Sequence, residues 1–418
     1  MQDRNGKPKQ ELSTLFMLSV EGGRTEIKMT DRMKVLITAS TFPRFAHDTE
    51  PRFILDLAEA LQKYCDVTVL APSAPDTLNR EVLNGVKVIR YRYFPVKRLE
   101  TLCYPGAIVP RVRQKKIRAL LIPFLFAALW INVRRYEKHF DIVNCHWIIP
   151  QGIVQSFCKK KYLVTGHGAD VVSLNKGLVK VLKSRCLKKA SGITVVSTRL
   201  KNYLEKNYNA GNVRVCPMGC KLDVFSPEHR IENYFGQKDR KVVLFVGRLA
   251  EKKGVKYLIR AMSMIDARLI IVGNGPLEDE LKALAEKESG DIVFLGNKTH
   301  DELKVILPSA DVYAAPSITA KGGDTEGIPV SIMEAMASGV PVVASDSGGI
   351  SDLVKNEENG LLTKEKDVRG IADAINRILF DHELAEVLTA NAAKTIRDYD
   401  YDVIAKNYYE MYQEIINR

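Results

Sequence analysis

No apolar run in this chain of 418 residues reaches the ~18 residues that a bilayer-crossing helix needs. The sequence therefore shows no clear transmembrane segment. Residues 1–32 are polar, mixed in charge and without the apolar stretch of a secretory signal. Met33 directly precedes the first strand-like run, so 1–32 reads as a disordered tail or an over-extended start. Cysteine is sparse and odd in number, seven in all, with no metal-ligand spacing. That argues against a disulfide framework and fits a reducing cytosol. Cys216 and Cys220, close together in CPMGC, have no further Cys or His beside them and read as buried or half-buried thiols. No carboxylate or histidine cluster suits Mg²⁺ or Zn²⁺. The run Asp398, Asp400, Asp402 falls where a helix starts, and capping explains it. Neither metal nor cofactor is expected.

What is present is a charge asymmetry. The chain carries a net +12. Residues 33–230 hold 33 Lys/Arg against 14 Asp/Glu, whereas 231–418 hold 23 against 31. Two halves of opposite sign suggest two domains facing different partners. A basic half points to nucleic acid, anionic headgroups or a phosphorylated substrate. No basic-aromatic recognition module appears, and the second half is acidic, so nucleic acid is not an expected partner.

Short Val/Ile/Leu-rich runs alternate with helical patterns throughout. KVLITAS, VTVLAP, VKVIRYRY, DIVNCHW, YLVTGHG, ITVVST and VRVCPMG fill the first half. KVVLFVG, ARLIIVG, DIVFLG, ADVYAAPS, VPVVASD and GLLT fill the second. Near-continuous apolar strands imply parallel sheets covered on both faces, hence α/β architecture. The reading is two doubly wound, Rossmann-like domains, 33–226 and 227–397, facing each other across a cleft. An aromatic-rich helix, 398–418, closes the chain.

The densest chemistry lies in GGDTEGIPVSIMEAMASGVPVVASDSGG, 322–349. Glu326 and Glu334 flank the start of a helix predicted over about 330–337, with Pro329 at its first position. A helix N-terminus suits a phosphate, and ionised carboxylates suit hydroxyls. A ligand with phosphates between polyols, such as a nucleotide-sugar, has that shape. In VGRLAEKKG, Gly247 ends a strand, and Arg248, Lys252 and Lys253 occupy the next loop. They could neutralise a departing diphosphate. Gly273, Asn274 and Gly275 form a strand-to-helix turn that is not a complete dinucleotide fingerprint. A tight turn and direct nucleotide contact explain it equally well.

In the first half, His167 lies between glycines at a strand end, and Asp170 follows it. His146 and Trp147 end another strand; Trp147 either stacks on a sugar or fills the core. RVRQKKIRALLIPFLFAALWINVRR, 111–135, places seven cations around an apolar centre. It reads as a buried helix kinked at Pro123 or as a segment lying in the membrane interface. Residues 97–135 hold nine cations and one acid, which favours an anionic surface or acceptor.

VGRLAEKKG, GNGPLEDEL, DVYAAPS and EGIPVSIMEAMASGVPVVASDSGGISDLV together resemble glycosyltransferase family four, the large retaining group with the GT-B fold. DIVNCHW, TGHGADVVS, ITVVSTRLKNYL and CPMGCKLDVFSP extend the resemblance into the first half. It implies a retaining, metal-independent transferase acting on a nucleotide-diphosphate sugar and a saccharide or lipid-linked acceptor. Arg248 and Lys253 match the diphosphate-binding cations. Glu326 matches the glutamate on the transferred sugar, and Glu334 the one on the ribose. Backbone N–H groups of Gly327 and Ile328 would serve sugar and phosphate. His167 matches the histidine that reaches the reaction centre from the acceptor domain. The last helix would cross back to the first domain. One departure stands out. The first strand-to-helix loop, TFPRFAHDTEPRFILDLAEAL, has none of the family's paired glycines; Arg44, His47 or Arg52 would act there instead. The rival readings are an epimerase-type enzyme of the same fold and a non-catalytic nucleotide-sugar scaffold. The expected location is cytoplasmic, peripheral on the membrane face. The residues specify no oligomeric state.

Overall fold

The computed structural model describes residues 32–45, 48, 50–106, 108–236, 240–288, 290–321 and 323–418. The expected tail, apart from Arg32, lies outside them, as do His47 and Gly322. Strands β1 (Lys34–Thr38), β2 (Asp66–Pro72), β3 (Arg80–Leu83), β4 (Val86–Tyr91), β5 (Ile142–His146), β6 (Tyr162–Gly166), β7 (Gly192–Val195) and β8 (Val213–Val215) form the first sheet. The second contains β9 (Val242–Val246), β10 (Arg268–Val272), β11 (Asp291–Gly296), β12 (Val312–Ala315), β13 (Val342–Ser345) and β14 (Leu361–Thr363). The first sheet is ordered β3-β4-β2-β1-β5-β6-β7-β8 and the second β11-β10-β9-β12-β13-β14. Every pairing is parallel except β3 with β4. All five residues of β5, β6 and β9 are buried, which is why those strands read as unbroken apolar runs.

These are two doubly wound sheets. In each, strand order reverses at one place: between β1 and β5 in the first, and between β9 and β12 in the second. Crossover helices leave in opposite directions there, and a crevice opens beyond the carboxyl ends of the two strands. The loops after Thr38, His146, Val246 and Ala315 are therefore the ones placed to touch a ligand.

The two cores meet near a double crossing of the chain. Met218 packs in the first core and Cys220 in the second, so the passage lies several residues before 227. Segment 227–236 belongs to the second domain, where Arg230 donates to the carbonyls of Pro308 (2.9 Å) and Ala310 (3.0 Å). The chain returns at Tyr399–Tyr401. The two crossings pair there: the Cys220 N–H donates to the Tyr399 carbonyl (2.8 Å) and the Tyr401 N–H to the Cys220 carbonyl (3.2 Å). Asp400 caps the closing helix, Tyr401–Asn417, by accepting from the Asp402 N–H at 2.7 Å. This helix lies on the first domain. Tyr409 stacks on Tyr64, Arg214 pairs with Glu414, and Asn144 donates to the Tyr412 hydroxyl at 2.7 Å.

The Ile122–Tyr136 helix differs from the buried, kinked reading. Pro123 stands in its first turn, where proline's missing N–H costs nothing, so no kink arises. Only Leu125, Leu129 and Val133 are buried, a narrow stripe at four-residue spacing. Ile117 is 73% and Ile131 56% exposed, and Leu120, Phe124 and Trp130 also face outward. With its short 3₁₀ flanks the helical stretch runs through 24 residues, Lys116–His139, long and apolar enough by composition to cross a membrane. Here it forms one flank of the first domain.

Candidate active site

The loop after β9 carries Arg248, Lys252 and Lys253, and the loop after β12 carries Asp324, Thr325 and Glu326. Backbone contacts fix the two loops against each other. The Ile318 N–H donates to the Lys252 carbonyl at 2.8 Å. The side chains then converge. Lys252 Nζ lies 3.5 Å from Glu326 Oε1 and 3.7 Å from Asp324, and Lys253 Nζ lies 3.4 Å from Glu326 Oε2. Burial alone would raise the Glu326 carboxyl, but the two ammonium groups outweigh it and hold the group below the usual carboxylate range. Glu326 is thus ionised and clamped by two cations.

The backbone around Glu326 tolerates no side chain opposite it. Gly348 has φ +67°, and a Cβ there would lie 2.1 Å from the Glu326 carbonyl. The Gly349 N–H bonds the same carbonyl at 3.2 Å. The glycines of the Gly273–Gly275 turn answer a similar demand. A Cβ on Gly273 would lie 2.0 Å from the Gly247 carbonyl, and one on Gly275 2.3 Å from that of Leu249. Close packing of two loops accounts for both.

Glu334 sits in the second turn of the Val330–Ala337 helix. Pro329 is the residue before that helix, with ψ 125°, rather than its first member. Glu334 is buried, and its carboxyl is pushed up to about 8 by burial and by the charge of Asp56, against the pull of Lys253. The two glutamates therefore differ at neutral pH: Glu326 ionised, Glu334 protonated.

The opposite wall comes from the first domain. The His167 carbonyl is 3.4 Å from where a Gly327 Cβ would stand, and the Thr325 carbonyl 3.8 Å from a Gly168 Cβ. His167 thus faces the Glu326 loop across the cleft. Its ring packs between Phe53 (5.3 Å), Trp147 (5.0 Å) and His146 (5.2 Å), centroid to centroid. Its Nε2 is 2.9 Å from His146 Nδ1. His146 Nε2 is 3.3 Å from the Asn144 amide, which also reaches Tyr412. A buried polar chain thus runs from the closing helix to His167. Burial depresses the His167 imidazole to about 3 and that of His146 well below its usual value. Both rings are neutral at ordinary pH.

The remaining acceptor-side candidates fare differently. His146 is fully buried behind His167 and does not itself reach the cleft. Trp147, at φ +76°, is held in a backbone region uncommon for a bulky residue and packs on Phe53 and His167. Arg44 pairs with Asp48 at 3.0 Å and lies over the Tyr104 ring. Arg52 reaches Asp56 at 3.2 Å and Glu59 at 3.4 Å. Asp170 accepts N–H groups from Ile148, His167 and Gly168 at 2.8–3.0 Å, so it shapes the His167 loop. Glu50, which no motif or strand end marks, accepts the Gly106 N–H at 2.9 Å and feels the charge of Arg248. Among the described residues, no group of three potential metal-ligating side chains forms.

Two family models cover most of the chain. "Glycosyltransferase Family 4" matches residues 51–224 and "Glycosyl transferases group 1" matches 228–395. An uncharacterized glycosyltransferase of Methanocaldococcus jannaschii, MJ1607, is 31% identical over 381 residues, 84% of this chain and 91% of that protein. The chain is a glycosyltransferase of the group 1/family 4 type. The phosphatidyl-myo-inositol mannosyltransferase of Mycobacterium leprae is 28% identical to the glycosyltransferase, covering 87% of this chain and 92% of its own. The putative teichuronic acid biosynthesis glycosyltransferase TuaC of Bacillus subtilis is 27% identical over 84% and 90%. In three dimensions the glycosyltransferase superposes on sucrose-phosphate synthase from Thermosynechococcus elongatus with TM-score 0.75 at 22% identity, covering 92% of this chain and all of that one. It superposes on Anabaena Alr3699/HepE in complex with UDP-glucose with TM-score 0.68 at 18% identity, over 91% and 100%. The GT-B fold follows from these likenesses and from the two sheets.

Proposed function

We propose that this glycosyltransferase is a retaining, metal-independent enzyme that moves a hexose or related sugar from a nucleoside-diphosphate sugar to a lipid-linked saccharide acceptor. The observation that carries the proposal is the clamp of Lys252 and Lys253 on Glu326, at the reversal point of the second sheet and facing His167. Arg248 and the lysines supply cationic charge where a diphosphate would lie, so the leaving group needs no metal for neutralisation. Glu326, ionised, accepts from sugar hydroxyls. The glycosidic C–O bond breaks toward the diphosphate, whose growing charge Arg248 and the lysines stabilise. The acceptor hydroxyl attacks from the face the leaving group vacates, its proton passes to the departing diphosphate oxygen, and configuration is kept. His167, neutral and packed on three rings, orients without exchanging charge.

Thermal unfolding with UDP, GDP and ADP, each with EDTA, tests the donor site. A ligand binding only the native state at 100 times Kd adds about 2.7 kcal/mol. A shift with one nucleotide is expected and would identify the base. No shift with any of them would overturn the donor-site reading. The anomeric configuration of the product then tests retention. Products formed without acceptor would favour an epimerase-type enzyme.

The lipid-linked acceptor rests on the first domain's exposed apolar and basic flank. Ile117, Leu120, Trp130 and Ile131 project beside Arg113, Lys115, Lys116 and Arg135. Such a surface suits the boundary of an anionic bilayer. Cosedimentation with phosphatidylglycerol vesicles is expected at low salt and reduced at ~1 M salt, where charge is screened within about 3 Å. Ile131→Asp should weaken it. Indifference to such vesicles at both salt levels would remove the membrane from the reading.

A further inference from the structure

Lys183 is a buried cation for which the transfer reaction provides no direct task. It lies on the helix Gly177–Lys189 and is 0% exposed. A lysine is almost never fully buried unless its ammonium is well partnered. Its Nζ donates to the Val171 carbonyl at 2.7 Å, to the Ser173 carbonyl at 2.9 Å and to the Asn175 side-chain oxygen. Asn175 in turn donates to the Val172 carbonyl at 2.6 Å, accepts from the Tyr208 hydroxyl and contacts that of Tyr203. Nζ also stands 5.4 Å from the centre of the Tyr208 ring. All three backbone carbonyls end the single helical turn Ala169–Val172 or follow it directly. Those carbonyls have no partner within so short a helix, and a cation suits the negative end of the turn.

The other end of the same turn holds His167. Asp170, within the turn, accepts the N–H groups of His167 and Gly168 and, from the loop after β5, that of Ile148. Asp170 and Lys183 feel each other's charge, so the negative and positive ends of the clip compensate. We propose that Lys183 is a positioning residue, which, through the Ala169–Val172 turn and Asp170, sets where His167 stands in the cleft. It touches neither sugar nor phosphate. The hydrogen bonds have one possible direction, because an ammonium only donates and a backbone carbonyl only accepts.

The catalytic part of this inference rests on the transferase reading; the positioning part does not, and one optical readout separates them. The chain has two tryptophans. Trp130→Phe leaves Trp147, whose ring is 5.0 Å from that of His167. In that background Lys183→Met, which keeps the length and removes the donors, is expected to change Trp147 emission and its quenching by acrylamide. With the donor identified, Lys183→Met should lower kcat by about a hundredfold, as misplacement of about 1 Å can do. Donor KM should stay within about threefold, because the donor cations lie in the other domain. Lys183→Gln, which retains two N–H donors, should recover part of both signals. If Lys183→Met does not fold, Asn175→Ala removes the linking side chain at a half-buried position and should shift both readouts in the same direction.

A folded variant with unaltered Trp147 emission overturns the proposal, as does altered emission with kcat within twofold of the parent. If the parent itself transfers no sugar from any donor, the functional reading fails while the emission experiment still decides whether Lys183 holds the His167 loop.

Discussion

Lys253→Ala is expected to lower kcat by about 100- to 1000-fold, a loss of roughly 2.7–4 kcal/mol in the transition state, with a much smaller change in donor KM. In the unliganded site the Lys253 ammonium is 3.4 Å from Glu326 and already has a charge partner. Binding the ground-state diphosphate exchanges one anionic partner for another, so the net gain is small. Bond cleavage adds charge to the diphosphate alone, and the lysine's contribution appears at that point. Interactions that strengthen only in the transition state are the ones that raise kcat. Lys252, 3.5 Å from the other oxygen of Glu326, keeps the carboxylate ionised in the variant. The loss therefore reports on the leaving group rather than on Glu326. Steady-state kinetics decide the matter. Unchanged kcat with a raised KM would mean that Lys253 binds ground and transition states equally.

Glu334→Gln should have two opposite effects, on binding and on stability. In the free protein the Glu334 carboxyl titrates at about 8, through burial first and then the charge of Asp56, against Lys253. Cys220, Tyr401 and Tyr313, whose thiol and hydroxyls burial also holds protonated, stand near enough to feel its charge. On the reading that Glu334 holds the donor's ribose, whose hydroxyls donate best to the ionised form, nucleotide binding should release a proton. Affinity should then rise with pH up to about 8 and level off above it. Glutamine cannot ionise, so the variant should lose that pH dependence. It should also bind about 10- to 100-fold more weakly at high pH, the value of a hydrogen bond to a charged group being about 1.5–3 kcal/mol.

Stability moves the other way. The folded-state carboxyl holds its proton to about 8 whereas the unfolded one loses it in the ordinary carboxylate range. The parent's stability from this group is thus complete below that range and is lost as pH rises through 8. Glu334→Gln keeps the neutral form throughout and should unfold at a higher temperature than the parent at pH 9. Calorimetry in buffers of different ionisation enthalpy measures the proton release, and melting curves from pH 6 to 9 measure the stability. Parallel curves for parent and variant would remove Glu334 as the titrating group.

Most strands were legible because burial on both faces leaves an unbroken Val/Ile/Leu signature. β3 was not: Arg80, Glu81 and Val82 of this antiparallel edge strand are not buried, and an edge with one covered face has no such signature. The Ile122–Tyr136 helix misled for the opposite reason. Its apolar residues suggest a core helix, yet only every fourth one is buried. Within the site, Arg248, Lys253, Glu326 and Glu334 could be singled out because strand ends, glycines and a helix start mark their places. Asp56, whose charge acts on Glu334, sits on the Phe53–Leu61 helix of the other domain with no local mark. Lys183 looked like one more cation of a basic half, and nothing in its neighbourhood in sequence reveals that it is buried. Arg44 and Arg52 looked available because their carboxylate partners lie only four residues away, a spacing that becomes a contact only once the chain coils.

The paired crossings at Cys220 and Asp400 have a mechanical consequence. A single link between two bodies permits rotation about several axes. Two links tied together by backbone hydrogen bonds within one residue of each other leave a common pivot. Beside that pivot Lys221 reaches Asp56 at 3.0 Å, and the Thr198 N–H is bound by Asp352 of the opposite domain. Points of the cleft farther from that pivot would travel farther for any given rotation. A rotation about it would change the separation of His167 and Glu326, while the closing helix, anchored on the first domain, holds the axle in place.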